Sequence, residues 1–388
     1  MKRRGAVFFG VAAALVGCNA ILGIEGASFD PSQPPLGSDG SPTQDGPTTM
    51  PDGPVGSDVQ VDACNAGTLA TDSKNCGSCG HDCLGGACVG GRCQPVKLAI
   101  DPTSGISTRV LVDATHVYWT NEQTFELTRI PKNAAAGAPR ELLYKGTGTL
   151  GNQPAFTADD VAMVGPGGDR IALCKKTGCL DGGVRTIGTG LAPAAFALDP
   201  NGKTLWFSDA DHFGNTVGPD YAGFTFPPSL MGEKPLVNFA VDKAGLVWTT
   251  IGAGNTGREL RSGDGVESTF TLAPFAPEFV SEVALKGNLA YVIVGGKGIY
   301  SVSRAGGTPT PLVLGQGYQV GLVADDTHVW FLKNNTPTAV QRCPLVGCKQ
   351  AEEMATGFDT PKALAIDATA MYVYVNAQQG GVLLRIAR

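Results

Sequence analysis

Six of the eleven cysteines lie within thirty residues of one another, and their spacing is compatible with three kinds of chemistry. They are Cys64, Cys76, Cys79, Cys83, Cys88 and Cys93. Cys76-Gly-Ser-Cys79, with His81 close by, offers the ligand types and spacing of a zinc site, and a CxxC pair also occurs in thioredoxin-like redox proteins. In an oxidising compartment the same thiols would close into disulfides. The choice therefore depends on where the chain resides.

The N-terminus has the layout of an export signal. Three basic residues at positions 2 to 4 precede an apolar run from Ala6 to Val16, which is too short to span a bilayer as a helix. The string Leu15-Val16-Gly17-Cys18 resembles the lipobox of bacterial lipoproteins, and the following CNAILGIE resembles the start of myxobacterial lipoproteins. This resemblance implies that residues 1–17 are removed and that Cys18 carries a lipid anchor. An ordinary secretory signal with an incidental cysteine is the alternative.

These features predict a lipid-anchored protein of the cell envelope, and Asn19 is compatible with sorting to the outer membrane. Which side of that membrane the protein occupies stays open. The formal charge of −6 includes three positive charges of the signal, so the chain from Cys18 would carry −6 − 3 = −9. An acidic chain with no basic cluster after Arg4 is a poor partner for nucleic acid. We therefore expect contact with the membrane through the lipid anchor and no nucleic-acid partner.

Residues 18–62 have the composition of a flexible linker. From Gly26 to Asp62 the chain holds seven Pro, six Gly and six Asp, with few aromatic or branched apolar side chains. Such a segment cannot bury enough apolar surface to offset the entropy lost on ordering. We predict a disordered tether between the lipid anchor and the folded domains.

Export favours disulfides over zinc or redox chemistry, although both alternatives stay open. Assigning Cys18 to lipid leaves ten cysteines, namely the cluster of six and the pairs Cys174/Cys179 and Cys343/Cys348. The cluster defines a predicted disulfide-rich module over residues 63–95, and sequence does not choose among its fifteen pairings. The two short pairs are predicted to staple hairpins. Asn75 to Cys93 also resembles the NCGxCGxxCxxGxCxxGxC modules of myxobacterial envelope proteins.

One sequence pattern recurs along residues 96–388. It consists of a strand with alternating apolar residues, a polar turn and a second strand. When the repeats are aligned, one residue of each, which we call the anchor, falls in register. The anchors are Tyr118, Ala162, Trp206, Trp248, Tyr291, Trp330 and Tyr372. The 293 residues divided by seven repeats give about 42, the length of a four-stranded propeller blade. We predict an all-β fold, a seven-bladed β-propeller preceded by the disulfide-rich module and the linker.

A third strand ending in a basic or cysteine-bearing turn follows most repeats, whereas Ser208 to Met231 shows no clear third strand. The last repeat lacks a fourth strand, and Val96 to Ile100 is predicted to supply it. Tyr118-Trp119-Thr120-Asn121 and the turn Arg129-Ile130-Pro131-Lys132 resemble the YWTD, NHL and quinoprotein-like propeller families. That resemblance implies the fold and leaves the function open.

Candidate chemistry within the propeller is sparse. His116 and His328 occupy the same repeat position, which favours a structural role in a turn. The densest polar cluster is a loop with Asp209, Asp211, His212 and Tyr221, whose pattern is a poor match to a calcium loop and which we take as a candidate binding loop. No phosphate-binding, nucleophile-elbow or zinc-protease motif occurs, so no cofactor, metal or catalytic residue is predicted.

We therefore expect a monomeric, non-catalytic binding or scaffolding protein whose ligand is an unknown protein, glycan or small molecule. The alternative is a propeller enzyme of the lactonase, lyase or quinoprotein-dehydrogenase type. An enzyme of this kind would need acidic and histidine side chains that converge on the propeller axis.

Overall fold

All residues that the computed structural model describes lie within residues 59–388. It describes residues 64, 66–101, 107, 109–146, 154–180, 182–188, 190–191, 193, 195–199, 202–208, 213–217, 224–225, 235–250, 256–261, 267–271, 280–315, 317, 319–377 and 380–388. Cys18 and the four residues of the candidate loop, Asp209, Asp211, His212 and Tyr221, lie outside these ranges. No helix in the described ranges has the length and apolar character needed to cross a membrane.

Disulfides form the centre of the N-terminal module. The module contains a 3-10 turn, Ala66–Thr68, and a short hairpin of β1, Cys88–Val89, and β2, Arg92–Cys93. Three bridges connect Cys64 to Cys79, Cys76 to Cys88 and Cys83 to Cys93, and two more close the pairs Cys174–Cys179 and Cys343–Cys348. The prediction of disulfides is confirmed. Four of the six module cysteines are buried, because crosslinks replace the apolar core that so short a segment lacks.

Beyond the module, the described residues form seven four-stranded antiparallel sheets. Six of them have their strands in chain order from the inside outward, and in the seventh β3 is the outer strand. After β3, Val96–Asp101, the first three blades comprise β4 Val110–Val112, β5 His116–Asn121, β6 Glu126–Pro131, β7 Glu141–Lys145; β8 Ala155–Phe156, β9 Asp160–Val164, β10 Ile171–Lys175, β11 Val184–Ile187; β12 Ala195–Leu198, β13 Thr204–Ser208, β14 Phe213–Val217 and β15 Phe224–Thr225. A second 3-10 turn, Pro166–Gly168, lies between β9 and β10.

The remaining blades follow the same plan. They comprise β16 Pro235–Val241, β17 Gly245–Thr250, β18 Thr256–Arg261, β19 Glu267–Thr271; β20 Val280–Lys286, β21 Leu289–Val294, β22 Gly298–Ser303, β23 Thr310–Leu314; β24 Gln319–Ala324, β25 His328–Lys333, β26 Ala339–Pro344, β27 Glu352–Thr356; and β28 Thr360–Ile366, β29 Ala370–Ala377, β30 Gly380–Ala387. The prediction of a seven-bladed, all-β propeller is confirmed.

The seventh blade is completed by the strand that precedes the first. β3 pairs antiparallel with β30, with Val96 opposite Arg385 and Asp101 opposite Gly381. The sheet order β28-β29-β30-β3 confirms the predicted closure. Because two distant parts of the chain share one sheet, the ring has no open seam between its first and last blades.

Apolar side chains fill every interface between adjacent blades, so the core is a ring of seven clusters. The aromatic anchors of the repeats explain this arrangement, because each packs toward the next blade. Tyr118 packs against the second blade, Tyr291 against the sixth and Tyr372 against the first.

Two details differ from the sequence alignment. In the fourth blade Val247, not Trp248, occupies the anchor position, because Asp242 and Gly245 form the same turn that Asp113 and His116 form in the first blade. Trp248 is therefore one residue out of register and packs back toward the third blade. The third blade does possess a third strand, β14, which pairs with β13 over five residues. Its Phe-Gly-Asn-Thr-Val sequence carries too little apolar alternation to be recognised.

In blades one, six and seven, an aspartate links the first turn to the anchor. The carboxylate of Asp113 accepts the N–H groups of Thr115 and His116 at 2.8 Å and the hydroxyl of Tyr118 at 2.9 Å. Asp325 and Asp367 repeat the arrangement with Trp330 and Tyr372. The turn residue common to the repeats thus fixes both the hairpin and the anchor side chain.

The turn aspartates of blades four, six and seven each form an ion pair with a basic residue of the next blade. On the third strand of each blade, one residue pairs with the anchor. Three residues further along the chain, the first, fifth and seventh blades have a basic residue: Lys132, Arg304 and Arg388. Lys132 Nζ lies 2.7 Å from Asp367 of the seventh blade, Arg304 Nη1 lies 2.5 Å from Asp242 of the fourth, and Arg388 contacts Asp325 of the sixth. These ion pairs join neighbouring blades around the face of the propeller that carries the turns.

We expect these aspartates to make stability depend on acidic pH. Burial alone would raise the pKa of Asp325 and of Asp367. Hydrogen bonds from the turn N–H groups, together with Trp330 at Asp325 and Lys132 at Asp367, outweigh this effect, and each pKa falls to about 2. A lowered pKa contributes stability above the unfolded value of 3.8 that is lost as pH falls toward 2. Urea unfolding between pH 5 and pH 2 should show a loss of about 2 kcal/mol for each site.

The variant Asp367→Asn provides the control for this dependence. It should be less stable than wild type at pH 7 and should lose less stability on acidification, because one of the aspartates whose pKa is lowered by folding is gone. A variant with the wild-type slope would contradict the assignment.

Candidate functional site

Among the described residues, two opposite charges that attract each other lie at the inner strands, near the propeller axis. Arg109 directly precedes the inner strand β4, and Glu282 lies at the corresponding position of β20, on the other side of the ring. Each side chain keeps part of its surface accessible although protein surrounds it. Burial raises the pKa of Glu282 and lowers the pKa of Arg109, and the attraction between the two charges opposes both shifts.

The carboxylate of Glu282 is occupied by main-chain donors. The inner strand β24 has an irregular register between Val320 and Val323, which releases the N–H groups of Gly321 and Leu322 from pairing with β25. Glu282 accepts these two N–H groups at 2.8 and 2.6 Å. A carboxylate that joins two blades in this way is poorly placed to act as a general base, because both of its oxygens already accept hydrogen bonds.

Few other ionisable groups line the axis. On the described inner strands, the remaining ones are Lys286 and Lys362, and no histidine occurs there. Lys286 takes the position of the turn aspartate in the fifth blade and contacts Asp326 of the sixth. The described inner strands therefore do not bring together the acidic and histidine groups that the enzyme alternative needs.

His116 and His328 lie at the first turn of their blades, on the first residue of β5 and β25. Their ring Nδ1 atoms lie 2.8 and 2.7 Å from the hydroxyls of Thr115 and Thr327. Burial and the charge of Arg342 lower the pKa of His328. Two equivalent environments in two blades support the interpretation of these histidines as turn residues.

The disulfide module packs on the seventh blade through one buried arginine. Arg385 of β30 donates hydrogen bonds to the carbonyls of Leu84 in the module and Lys132 in the first blade, and a third to Ala134 at 3.3 Å. Ala387 packs against the buried cysteines Cys76, Cys83, Cys88 and Cys93. The module is thereby held against the turn-bearing face of the seventh blade.

A groove of about 580 Å³ lies between this module and the last two blades. One wall is the module, with Ser78, His81 and Arg92, and the other wall is β27 and the end of β30. On the second wall the lining includes Arg342, Glu352, Glu353 and Arg388. This volume is in the range of ligand-binding clefts.

His81 contributes to the module wall and not to a metal site. Its Nδ1 lies 2.6 Å from the carbonyl oxygen of Cys76. The sulfurs of Cys76, Cys83 and Cys93 lie within 4.8 Å of one another, but each belongs to a disulfide. A zinc site needs thiolates, so the zinc alternative would require these bridges to be reduced.

Stacked cations form the floor of the groove. The indole of Trp330 is fully buried, with the guanidinium of Arg388 at 4.5 Å and that of Arg342 at 5.4 Å from its ring centre. Arg388 is committed to Asp325 and to the carbonyl of Asp367. Arg342 Nε donates to Glu352 at 2.7 Å. The groove thus presents fixed, partly satisfied charges on rigid strands.

The groove was not predicted from the sequence. Arg342 and Arg388 belong to the basic ends of third strands that the repeat predicted, but their position beside the module depends on how the module packs on the propeller. The predicted lipidation site Cys18 and the candidate loop with Asp209, Asp211, His212 and Tyr221 remain predictions, because they lie outside the described residues.

Comparisons with known proteins identify the fold and leave the family open. No family model matches the sequence, and no curated protein sequence matches it. Among solved structures, virginiamycin B lyase from Staphylococcus aureus superposes with a TM-score of 0.59 at 14% identity, covering 76% of this chain and 99% of the lyase. The chain is a β-propeller.

Two further propellers resemble it at similar distance. The WD40 domain of Neurospora crassa Pan2 gives a TM-score of 0.57 at 7% identity, covering 75% of this chain and 95% of that domain. YCF48 bound to a D1 peptide gives 0.54 at 11% identity, covering 76% and 94%. At these identities the similarity establishes the shared architecture only.

Proposed function

We propose that this protein is a non-catalytic recognition protein of the cell envelope that binds its ligand in the groove between the disulfide module and blades six and seven. The observation that carries the proposal is the groove itself, a polar cleft with one wall from the disulfide module and one from the propeller, which are held by disulfides and by Arg385. Such a cleft presents preorganised groups to a ligand at little entropic cost. A solved propeller with a bound peptide, YCF48, is compatible with this role.

The place of action follows from the sequence. The lipobox-like Leu15 to Cys18 supports lipid anchoring, and five disulfides suit an oxidising compartment. We propose an outer-membrane lipoprotein that acts as a monomer and whose tether, residues 18–62, lets the propeller reach partners in solution.

A groove-filling substitution tests the binding site. Ser78 is exposed on the module wall, and its side chain makes no hydrogen bond to a described residue, so Ser78→Trp should fill the groove without loss of an internal contact. We screen the full-length protein in detergent against a random nine-residue peptide library, a glycan array and a small-molecule library. Binding of the recovered probes should weaken at least about tenfold in Ser78→Trp.

Thr177→Trp is the matched control. Thr177 is also an exposed hydroxyl residue in a disulfide-closed turn, but it lies on the second blade, outside the groove. It should retain the affinity of the wild-type protein. Binding that Ser78→Trp leaves unchanged, or an absence of binding in all three libraries, would contradict the proposal.

The enzyme alternative rests on the similarity to virginiamycin B lyase and would act at the axis. It predicts that virginiamycin B, or a lactone of similar size, is converted by the wild-type protein and that Glu282→Gln abolishes the conversion. Mass spectrometry of the reaction mixture measures this directly. Turnover that depends on Glu282 would replace the recognition proposal with an enzymatic one.

A further inference from the structure

We infer that the ligand of this groove is an extended, acidic peptide segment of a partner protein, which adds to the outer edge of β27 as a fifth strand of blade six. The inference rests on the proposed function and specifies its ligand class. It is carried by an open strand edge, a wall that faces this edge, and two guanidinium groups with unused hydrogen-bond donors.

The open edge belongs to β27. This strand pairs with β26 on one side, with Glu352 opposite Arg342 and Glu353 opposite Gln341. On its other side β27 makes no backbone hydrogen bond to any residue in the described ranges. Such an edge is a template for an incoming strand, whose main chain supplies affinity while alternate side chains supply specificity.

The module turns this edge into a groove. Glu352, Glu353 and Met354 of β27 line the cleft on one side, and the turn from Cys76 to His81 and the hairpin strand β2 line it on the other. Five strand residues at about 3.3 Å each give an edge about 16 Å long, which is enough for a peptide of four or five residues. The peptide would therefore contact the propeller through its main chain and the module through its side chains.

A comparison between blades identifies the unused donors. The residue opposite the anchor on the third strand is arginine in blades one, six and seven, at Arg129, Arg342 and Arg385. Arg129 and Arg342 also form the same ion pair, with Glu141 at 2.8 Å and with Glu352 at 2.7 Å. The blades therefore provide an internal reference for what Arg342 should do.

Arg342 departs from this reference. Arg129 Nη1 donates to the carbonyl of Lys176, and Arg385 Nη1 donates to that of Lys132, each at the third-strand turn of the following blade. The terminal nitrogens of Arg342 make no such bond to a described residue, and Arg342 is one of the residues that line the groove. In blade six the guanidinium keeps donors that its counterparts use for packing.

Arg92 supplies the second cation, from the opposite wall. It is exposed, lines the groove and makes no side-chain hydrogen bond or ion pair with a described residue. Guanidinium groups pair with carboxylates through two parallel hydrogen bonds, so Arg92 and Arg342 together favour acidic side chains. Glu352 and Glu353 line the same groove, and Glu352 is already paired with Arg342. An acidic side chain of a ligand would therefore pair with Arg92 and with the terminal nitrogens of Arg342.

A peptide suits the groove better than a sugar. The lining contains no Phe, Tyr or Trp side chain, and Trp330 beneath it is fully buried, so the small imidazole of His81 is the one ring that the described lining offers for stacking. What the groove offers instead is a strand edge and charge. These are the features that a β-strand with acidic side chains would use.

The decisive experiment is an N-methyl scan of peptides selected from the random nine-residue library on the full-length protein in detergent. The selected sequences should be enriched in Asp and Glu. Methylation of one backbone nitrogen at a time should weaken binding about threefold to tenfold at every second position and leave the intervening positions unaffected, because only alternate N–H groups of an added strand meet β27.

Charge is tested in parallel. Arg92→Met with Arg342→Met should weaken the selected peptides at least about tenfold, whereas Arg170→Met on the second blade should not. The melting temperature of each variant verifies folding, and the N-methyl scan on wild type does not depend on any variant.

The outcomes separate this inference from the proposed function. If Ser78→Trp weakens the binding of the selected peptides but N-methylation at every position leaves it unchanged, strand addition is wrong, and the proposal that the groove is the binding site stands. If Ser78→Trp weakens the binding of glycans or small molecules only, the peptide inference is wrong, and the proposal that the groove is the binding site stands. Weaker binding at every second N-methylated position, in peptides enriched in Asp and Glu, would support strand addition.

Discussion

Replacing Asp101 by Ala should destabilise the protein by about 3–5 kcal/mol and lower its melting temperature by on the order of 10 °C. Asp101 ends β3, and only 1% of its side chain is exposed. It accepts the indole N–H of Trp119 at 2.9 Å and the hydroxyl of Tyr374 at 3.0 Å, and Arg140 lies 3.0 Å from its other oxygen. The substitution removes the acceptor of the buried Trp119 indole and Tyr374 hydroxyl and one of the two carboxylates that pair with Arg140, at the seam between the seventh and first blades.

Differential scanning calorimetry of Asp101→Ala beside Asp359→Ala measures the effect. Asp359 is exposed, and its side chain makes no hydrogen bond or ion pair in the described structure, so its replacement should shift the melting temperature by little. Equal melting temperatures for the two variants would show that the seam is not closed in this way. A specific loss in Asp101→Ala would show that β3, far away in sequence, completes the seventh blade.

Removing the bridge between Cys76 and Cys88 should unfold the module and eliminate the groove while leaving the propeller folded. This bridge closes a loop with a sequence separation of 12, which is worth about 3 kcal/mol. The module has only short strands and turns besides its crosslinks, so little else holds it. In Cys76→Ser with Cys88→Ser, residues 64–95 should become sensitive to protease, and binding in the groove should be lost.

The pair Cys174→Ser and Cys179→Ser is the matched comparison. That bridge has a sequence separation of 5, worth about 2 kcal/mol, and lies in a hairpin that the second blade supports. Groove binding should survive its removal, and the module should stay resistant to protease. A module that remains resistant without the Cys76–Cys88 bridge would mean that Arg385 and packing on Ala387 suffice to hold it.

The repeat made the fold predictable from sequence. Alternating strands, turns and anchors at intervals close to 42 residues fix the number of blades, and the missing last strand fixes the closure by β3. The error at Trp248 has a simple origin. Aromatic identity suggested the register, whereas the turn aspartate determines it, and Trp248 follows Asp242 by six residues where Tyr118 follows Asp113 by five.

The candidate site was not predictable, because it lies between elements that the sequence describes separately. Each half is visible in the sequence, as a cysteine module and as charged ends of strands. Their juxtaposition depends on Arg385, whose donation to the carbonyl of Leu84 no local pattern encodes. The spare donors of Arg342 are likewise defined by comparison with Arg129 and Arg385 in three dimensions.

The central claim is that ligand binds against β27 and not at the propeller axis, and hydrogen exchange tests it most directly. Backbone amides of Glu352–Thr356 should exchange more slowly when a selected peptide is bound, while those of Thr310–Leu314, the equivalent outer strand of blade five, should not change. Slower exchange confined to the inner strand Val280–Lys286, with β27 unaffected, would contradict the claim and place the ligand at Arg109 and Glu282.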